Sequence, residues 1–170
     1  MKTPDKPLEE LPQEMQWKLE RMDGYLDLKM TRRARQELES FAKEHMRKPP
    51  VLEIQLRLAM LEEDWQAAMN TARDLCAVMP NEPMYWVQLA YSTRRLSNLE
   101  DARTILLDAY NRFKKVAVIP YNLACYECQL GHRDEALIYL KRAFKLDRSF
   151  SEIAMEDEDL MPVWSDIDLL

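Results

Sequence analysis

Glycine is scarce in this sequence: only Gly24 and Gly131 occur among 170 residues. The phosphate-binding loops of P-loop and dinucleotide-binding proteins need several glycines within a few positions, because their backbone must approach the phosphate closely. The chain therefore contains neither loop. Strand signals are also missing, since no β-branched alternation is flanked by turn residues. The sequence predicts an all-helical protein.

Catalytic motifs are missing as well. The two histidines, His45 and His132, lie in no His-Glu-x-x-His motif, and no serine lies in Gly-x-Ser-x-Gly. No residue pattern pairs a nucleophile with its base, so we predict a protein that is not an enzyme and uses no cofactor. Charged residues interrupt every apolar window of the roughly 20 residues that a membrane-spanning helix needs. The opening residues, MKTPDKPLEE, have no signal-peptide run either. We expect a cytoplasmic protein.

The charge balance is acidic, with 30 Asp and Glu against 24 Lys and Arg and a net charge of -6. This balance argues against nucleic-acid binding, which usually needs a basic face. The charge is uneven, however: residues 29–48 hold seven Lys or Arg and three Glu, whereas residues 149–170 hold seven Asp or Glu and no Lys or Arg. Two alternatives follow, which are nucleic-acid contact through residues 29–48 and self-assembly through the oppositely charged ends.

A period of 34 residues runs through the sequence. Small or apolar residues recur at this period in three columns, separated by offsets of four and three residues. Such offsets place the columns on one face of a helix. The pattern predicts repeating helix pairs whose second helix buries a small, apolar stripe. The columns are Ala34, Ala68, Ala102, Ala136; Leu38, Ala72, Leu106, Leu140; and Phe41, Leu75, Ala109, Ala143.

The expected helix boundaries agree with this period. Prolines lie where first helices should begin, at positions 49–50, 80–83 and 120, and proline is tolerated in a first turn because its missing N–H has no partner there. Side chains that can cap a helix precede the second helices. We expect N-caps at Asp64, Asn98 and Ser149, the last in a capping box with Glu152.

A helix pair of 34 residues with Trp86-x-x-Leu89-Ala90 in its first helix and Ala102 and Ala109 in its second resembles the tetratricopeptide repeat. The last unit, at residues 117–150, matches this pattern best. The resemblance implies a right-handed α-solenoid of about four hairpins with a C-terminal capping helix. Residues 154–164 are also similar to the cap of a group of bacterial repeat proteins.

The resemblance divides the chain into three parts. Residues 1–10 carry little apolar surface, so we expect a disordered tail. Residues 151–170 form an acidic cap. In the segment after Ser149, we expect Phe150, Ile153, Ala154 and Leu160 to cover the last hairpin while the carboxylates face water. Residues 11–150 hold the repeats, at 15–48, 49–82, 83–116 and 117–150.

The stretch CYEC contains a Cys-x-x-Cys pair, Cys125 and Cys128, and His132 follows four residues later. A structural zinc site needs four ligands, and a redox pair belongs at a helix N-terminus, where the dipole lowers the thiol pKa. This pair lies inside a first helix and has no fourth ligand nearby in sequence. We predict cysteines that pack as small apolar side chains and no metal site.

In tetratricopeptide repeats the first helices form a concave wall, where partner segments bind. The resemblance therefore implies a scaffold for a protein or peptide, and the basic and aromatic wall favours an acidic, partly apolar segment. The alternative is that these arginines are ordinary solvated surface. The Lys and Asn clamp of chaperone-tail binders is absent. The expected wall residues are Arg57, Tyr91, Arg94, Arg95, Tyr121 and Asn122.

The register can be tested with Ala102→Glu. A carboxylate in the small-residue column has no partner and would be buried against the facing helix, so we expect the array to loosen or unfold. Thermal unfolding followed by circular dichroism measures the effect. An unchanged midpoint would refute the register.

Overall fold

The computed structural model describes residues 11–96 and 98–167, and within these ranges the chain forms helices and turns without a strand. The expected tail at residues 1–10 lies outside the described residues. The longer helices pair as hairpins: α1 Gln13–Asp27 with α2 Thr31–Glu39, α3 Pro49–Leu61 with α4 Trp65–Val78, α5 Pro83–Arg95 with α6 Leu99–Arg112, and α7 Val118–Gln129 with α8 Arg133–Leu146.

The hairpins stack into an all-α solenoid, each against its neighbours along the chain. Shorter elements complete it: a 3₁₀ turn at Lys43–His45, α9 Phe150–Ala154, a 3₁₀ segment at Glu158–Val163, and α10 Trp164–Ile167. None of the helices in the described part of the chain is both long and apolar enough to cross a membrane.

The small-residue columns form the core between the helices. Ala34, Ala68, Ala102 and Ala136 are all fully buried, and the residues of the other two columns are buried as well. Alanine at these positions lets the second helices approach the first closely, whereas a larger side chain would clash or open a cavity. The repeat period therefore marks the packing interface between the helices, as its spacing predicts.

The turns inside the hairpins repeat with the same period. Lys29, Glu63 and Gly131 have positive φ values of 54°, 56° and 82°. After each of them, the amide of the next residue donates to the carbonyl five residues before it, at 2.8 to 2.9 Å. This hydrogen bond ends the first helix in a Schellman-type turn. The left-handed conformation costs about 1 kcal/mol for Lys29 and Glu63, and glycine adopts it without strain.

The first hairpin departs from the regular repeat. Its second helix, α2, ends at Glu39, and in the turn that follows the Ser40 hydroxyl donates to the Glu37 carbonyl at 2.7 Å. Phe41 therefore lies outside the helix that its column predicts, although its side chain is still buried. The buried position is kept while the secondary structure changes.

Two of the three expected N-caps form. The Asp64 carboxylate accepts from the Ala67 amide at 3.0 Å, and the Asn98 side chain accepts from the Asp101 amide at 2.9 Å. The capping box at Ser149 is wrong. The Ser149 hydroxyl donates to the Asp147 carboxylate at 2.7 Å instead, so its oxygen caps no amide of α9.

A buried carboxylate ties α6 to α7. Glu127 is fully buried, and its two oxygens lie 2.7 Å from Arg103 Nε and 2.7 Å from His132 Nδ1. A buried charge is tolerated only when its oxygens are hydrogen-bonded. Arg103 and His132 therefore stabilise the buried Glu127 carboxylate where α6 packs on α7. Hydrophobic periodicity does not reveal this role.

The C-terminal elements cover the last hairpin. Ala154, Leu160 and Val163 are fully buried, and the Trp164 indole folds back to donate to the Ala154 carbonyl at 2.9 Å. One expected core residue differs, since Ile153 is 50% exposed. The cap therefore buries Leu160 and Val163 from the 3₁₀ segment and Ala154 from α9.

The buried carboxylate predicts a contrast between two arginine variants. Arg103→Ala leaves Glu127 buried with one partner fewer, so we expect a loss of about 2 kcal/mol in the free energy of unfolding. Arg47→Ala removes an ion pair with Asp74 whose arginine is 81% exposed, so we expect little change. Urea unfolding of both variants measures the difference. Equal losses would contradict the supporting role of Glu127.

Candidate partner-binding surface

The first helices α3, α5 and α7 present one continuous face, here called the first-helix face. Arg57 on α3, Tyr91 and Arg94 on α5, and Tyr121 on α7 lie on it. Its two halves differ. The half at α3 and α5 is open, whereas the half at α5 and α7 is covered by the 3₁₀ segment of the cap.

An apolar cavity of about 580 Å³ opens in the uncovered half. Leu61 and Met84 lie at this cavity and are 39% and 42% exposed. Concave sites with a mainly apolar lining and a few polar groups are typical binding sites, and exposed apolar side chains that cluster mark surfaces with a partner. The remaining apolar and aromatic lining comes from Leu56, Met60, Trp65, Tyr85 and Tyr91.

Two aromatic rings form one wall of this cavity, and a cation lies against one of them. The rings of Trp65 and Tyr91 meet edge to face with centroids 5.7 Å apart, and the Arg95 guanidinium lies 4.5 Å from the Trp65 ring centroid. No carboxylate in the described ranges pairs with Arg95. A stacked guanidinium without an acidic partner can bind a carboxylate from another molecule.

Arg57, at the other side of the cavity, is already paired. Its guanidinium contacts Asp23 and Asp27 of α1, and the hydrogen bond that it donates to Asp27 is the main reason that the pKa of Arg57 is raised. Because these groups are largely exposed, the pairs contribute little to stability and are screened by salt. Arg57 therefore lies beside the cavity in weak ion pairs, and water can replace Asp23 and Asp27 as its partners.

The covered half carries a second arginine site. Arg94 pairs with both oxygens of Asp159, with Nη2 to Oδ1 at 2.6 Å, and its guanidinium lies 5.3 Å from the Tyr126 ring centroid. The hydrogen bond to Asp159 raises the pKa of Arg94. A bidentate, half-buried pair stacked on an aromatic ring is a strong and directional contact.

Asp157 makes the neighbouring contacts. Its Oδ2 accepts from the Tyr121 hydroxyl at 2.7 Å and from the Cys125 thiol at 3.5 Å, and its other oxygen accepts from the Asp159 amide at 3.0 Å. Burial, followed by the neighbouring carboxylates, raises the pKa of Cys125; burial and the bond to Asp157 raise the pKa of Tyr121. Both groups therefore stay protonated and act as hydrogen-bond donors. The expectation that the cap's carboxylates face water is wrong for these two aspartates.

Asn122, the sixth expected wall residue, makes a local contact. Its side-chain amide donates to the Val118 carbonyl of its own helix at 2.8 Å. The structure thus places the six residues differently. Arg57 and Tyr91 line the open cavity, and Arg95 lies on the Trp65 ring beside it. Arg94 and Tyr121 contact the cap, and Asn122 bonds within its own helix.

The residues of the CYEC stretch do not converge on one point. His132 contacts the Glu127 carboxylate. The Cys125 thiol lies elsewhere, within 4.8 Å of carboxylate oxygens of Asp157 and Asp159. These three atoms could in principle hold a metal ion. The Arg94 guanidinium already neutralises Asp159, however, and a cation would have to displace it.

Sequence reasoning missed Met60, Trp65 and Met84 in the open cavity. Their positions carried a weak signal, since large apolar residues occupy sites outside the repeat columns. Trp65 follows the N-cap Asp64 directly, and a first-turn residue of a second helix is expected to face solvent. Its contact with Tyr91 depends on how α3, α4 and α5 pack, which the period alone does not give.

Comparisons with known proteins agree with this architecture. No family model matches the chain, and no curated protein matches it. Among solved structures, the crystal structure of a thermophilic TPR protein from Thermus thermophilus aligns with a TM-score of 0.64 over 91% of this chain and 99% of that chain. The chain has a tetratricopeptide-repeat fold. Sequence identity is 20%, so the similarity lies in the fold, as the repeat period predicts.

The buried thiols give a prediction that depends on pH. Burial raises the pKa of Cys76 to about 11 and also raises the pKa of Cys125 and Cys128. At pH 8 a thiol with such a pKa is roughly 0.1% thiolate, which is the reactive form. We expect an aromatic disulfide reagent at pH 8 to leave all three thiols unmodified in the native protein and to titrate three thiols in urea. Fast reaction of a native thiol would contradict the assigned burial.

Proposed function

We propose that this chain is a non-catalytic scaffold that holds a segment of a partner protein on its first-helix face. The open apolar cavity between α3 and α5 is the observation that carries the proposal. Leu61 and Met84 expose apolar surface there, and water would be released from both when a partner's side chain covers them.

The lining of the cavity suits a protein segment. Trp65 and Tyr91 offer large, rigid contact surfaces at low entropic cost, and such residues dominate the energetics of protein interfaces. Met60 and Met84 are flexible and adapt to partner side chains of different shape. The cavity therefore favours an aliphatic or aromatic side chain as the anchor of the bound segment.

Charge supports an acidic residue beside that anchor. Arg95 lies on Trp65 at the cavity and has no acidic partner among the residues that the structure describes. A carboxylate from the partner would form a bidentate contact with it at the edge of the cavity, where water is partly excluded. Arg57, Tyr91 and Arg95 are then the proposed contact residues in the open half of the face.

The two alternatives drawn from the charge distribution have weaker support. In the basic segment 29–48, Arg35 and Arg47 pair with carboxylates of the next hairpin. In the acidic end, Asp159 and Asp166 pair with arginines of the same chain. Part of the charge that would attract nucleic acid or a second copy is therefore neutralised within the molecule.

The experiment is affinity capture from a lysate of the organism that carries the gene, with native chain and a Leu61→Glu/Met84→Glu variant side by side. Both substitutions are at exposed positions, so we expect them to leave the fold intact. Two carboxylates at an apolar cavity should repel an acidic, apolar segment. We expect partners retained by the native chain to be reduced at least about tenfold by the variant, a loss that corresponds to about 1.4 kcal/mol.

The matched control is Ile138→Glu, which also places a carboxylate at an exposed apolar position, here 67% exposed on α8 and outside the cavity. We expect this variant to retain the same partners as the native chain. Equal capture by all three proteins would remove the cavity from the proposed function.

A further inference from the structure

We propose that the face formed by α5 and α7 is a recognition site for a segment of the type Asp-x-Asp-Leu. The segment at residues 157–163, here called the strap, is the chain's own occupant of that site. A partner segment of the same chemistry replaces the strap when it binds. The inference rests on the proposed function, because the partner must also fill the open cavity.

The strap is bound by its side chains in the manner of a ligand. Asp159 receives the bidentate contact from Arg94, and Asp157 receives the hydroxyl of Tyr121. The next residue, Leu160, is fully buried. The face thus provides one cation, the neutral donors Tyr121 and Cys125, and one apolar position, which match the two carboxylates and the leucine of the strap.

The four acidic residues at positions 156–159 alternate between exposed and bound side chains. Asp157 and Asp159 point to the protein, whereas Glu156 and Glu158 are exposed and their side chains make no hydrogen bond or ion pair in the described structure. A cap whose charges only provide solubility would leave all four in water. Two of the four are instead bound by complementary groups, which indicates recognition of specific carboxylates.

The face also contacts the backbone of the strap. The Gln129 side chain on α7 donates to the Asp159 carbonyl at 3.0 Å, and Arg133 at the start of the neighbouring helix α8 donates to the Pro162 carbonyl. Contacts to main-chain carbonyls hold any segment with the same backbone path, whatever its side chains are. A segment from another protein can therefore use the same groups.

The strap site and the open cavity adjoin each other on α5. Tyr91 lines the cavity, and Arg94, which holds the strap, follows it by three residues on the same face of the helix. A partner segment that anchors an apolar side chain in the cavity therefore lies next to Arg94. The two halves of the first-helix face form one path for a bound chain.

The strap is tethered to the site, so it competes with any partner segment that binds there. A segment joined to its own site by a short linker has an effective concentration of about 1 mM or more. A free segment that makes only the strap's contacts therefore loses to the strap at micromolar concentration. A partner that also fills the open cavity gains additional contacts, and these contacts select it over other acidic segments.

The probe for this site is a fluorescein-labelled peptide that copies residues 154–165, AMEDEDLMPVWS. Its binding to the full chain is measured by fluorescence anisotropy at low salt for two variants. In Asp157→Asn/Asp159→Asn the strap loses both charged contacts, so we expect the peptide to bind at least about tenfold tighter than it binds the native chain. Adding Arg94→Glu to this variant should abolish the gain.

The control is Glu156→Gln/Glu158→Gln, which removes the same charge from the two exposed positions. We expect it to bind the peptide as the native chain does. A peptide with both aspartates replaced by asparagine should not bind any of the proteins at the same concentration. The proposal is overturned if the two double variants bind equally, or if Arg94→Glu leaves the affinity unchanged.

A measurement on the native chain keeps the test valid if the variants fold poorly. Hydrogen exchange of residues 157–163 should become faster when the unlabelled peptide is added at millimolar concentration, because the peptide displaces the strap. Unchanged exchange in these residues would also overturn the proposal.

The peptide experiment and the capture experiment can fail separately. If the peptide displaces the strap but the cavity variant captures as the native chain does, the strap site stands and the proposed cavity function fails. If the cavity variant loses its partners but the strap variants bind the peptide equally, the scaffold stands and the inference about the strap fails.

Discussion

A single helix hairpin cannot bury its apolar face by itself, and the whole structure depends on that constraint. Each hairpin must stack on a neighbour, and the stacking is close because Ala34, Ala68, Ala102 and Ala136 leave room for the facing helix. The ion pair of Arg57 with Asp23, which joins neighbouring hairpins, lies outside this packed column and is largely exposed. The apolar columns therefore determine the fold, and the ion pairs on its surface adjust it only slightly.

The same constraint explains why the first-helix face has an open half and a covered half. The last hairpin has no successor in the described residues, so other residues must bury its apolar surface, and Leu160 and Val163 do this from the 3₁₀ segment. That segment brings Asp157 and Asp159 onto α5 and α7, where Arg94 and Tyr121 hold them. The end of the array thus combines a structural cover with a set of specific polar contacts. Between α3 and α5 the described part of the chain provides no such cover, and Leu61 and Met84 stay exposed.

Periodicity predicted the parts of the fold that repeat, and the structure departs from the sequence analysis where contacts do not repeat. The alanine columns and the N-caps at Asp64 and Asn98 follow from local spacing alone. The Glu127 contacts with Arg103 and His132 join polar residues from separate elements, and a search for apolar periods does not detect them. The inward aspartates were missed for a related reason: a run of acidic residues is usually solvated, and only the positions of Arg94 and Tyr121 show otherwise.

The strap contact also sets an order of events during folding. Arg57 and Asp23, which join neighbouring hairpins, are 34 residues apart in sequence, whereas Arg94 and Asp159 are 65 residues apart. Contacts between adjacent repeats form early because their loops are short, and the longer connection closes later. On the ribosome, α5 and α7 can therefore fold while their shared face is still bare. A newly made chain passes through a stage in which this surface is accessible to other molecules, and synthesis of residues 157–163 ends that stage.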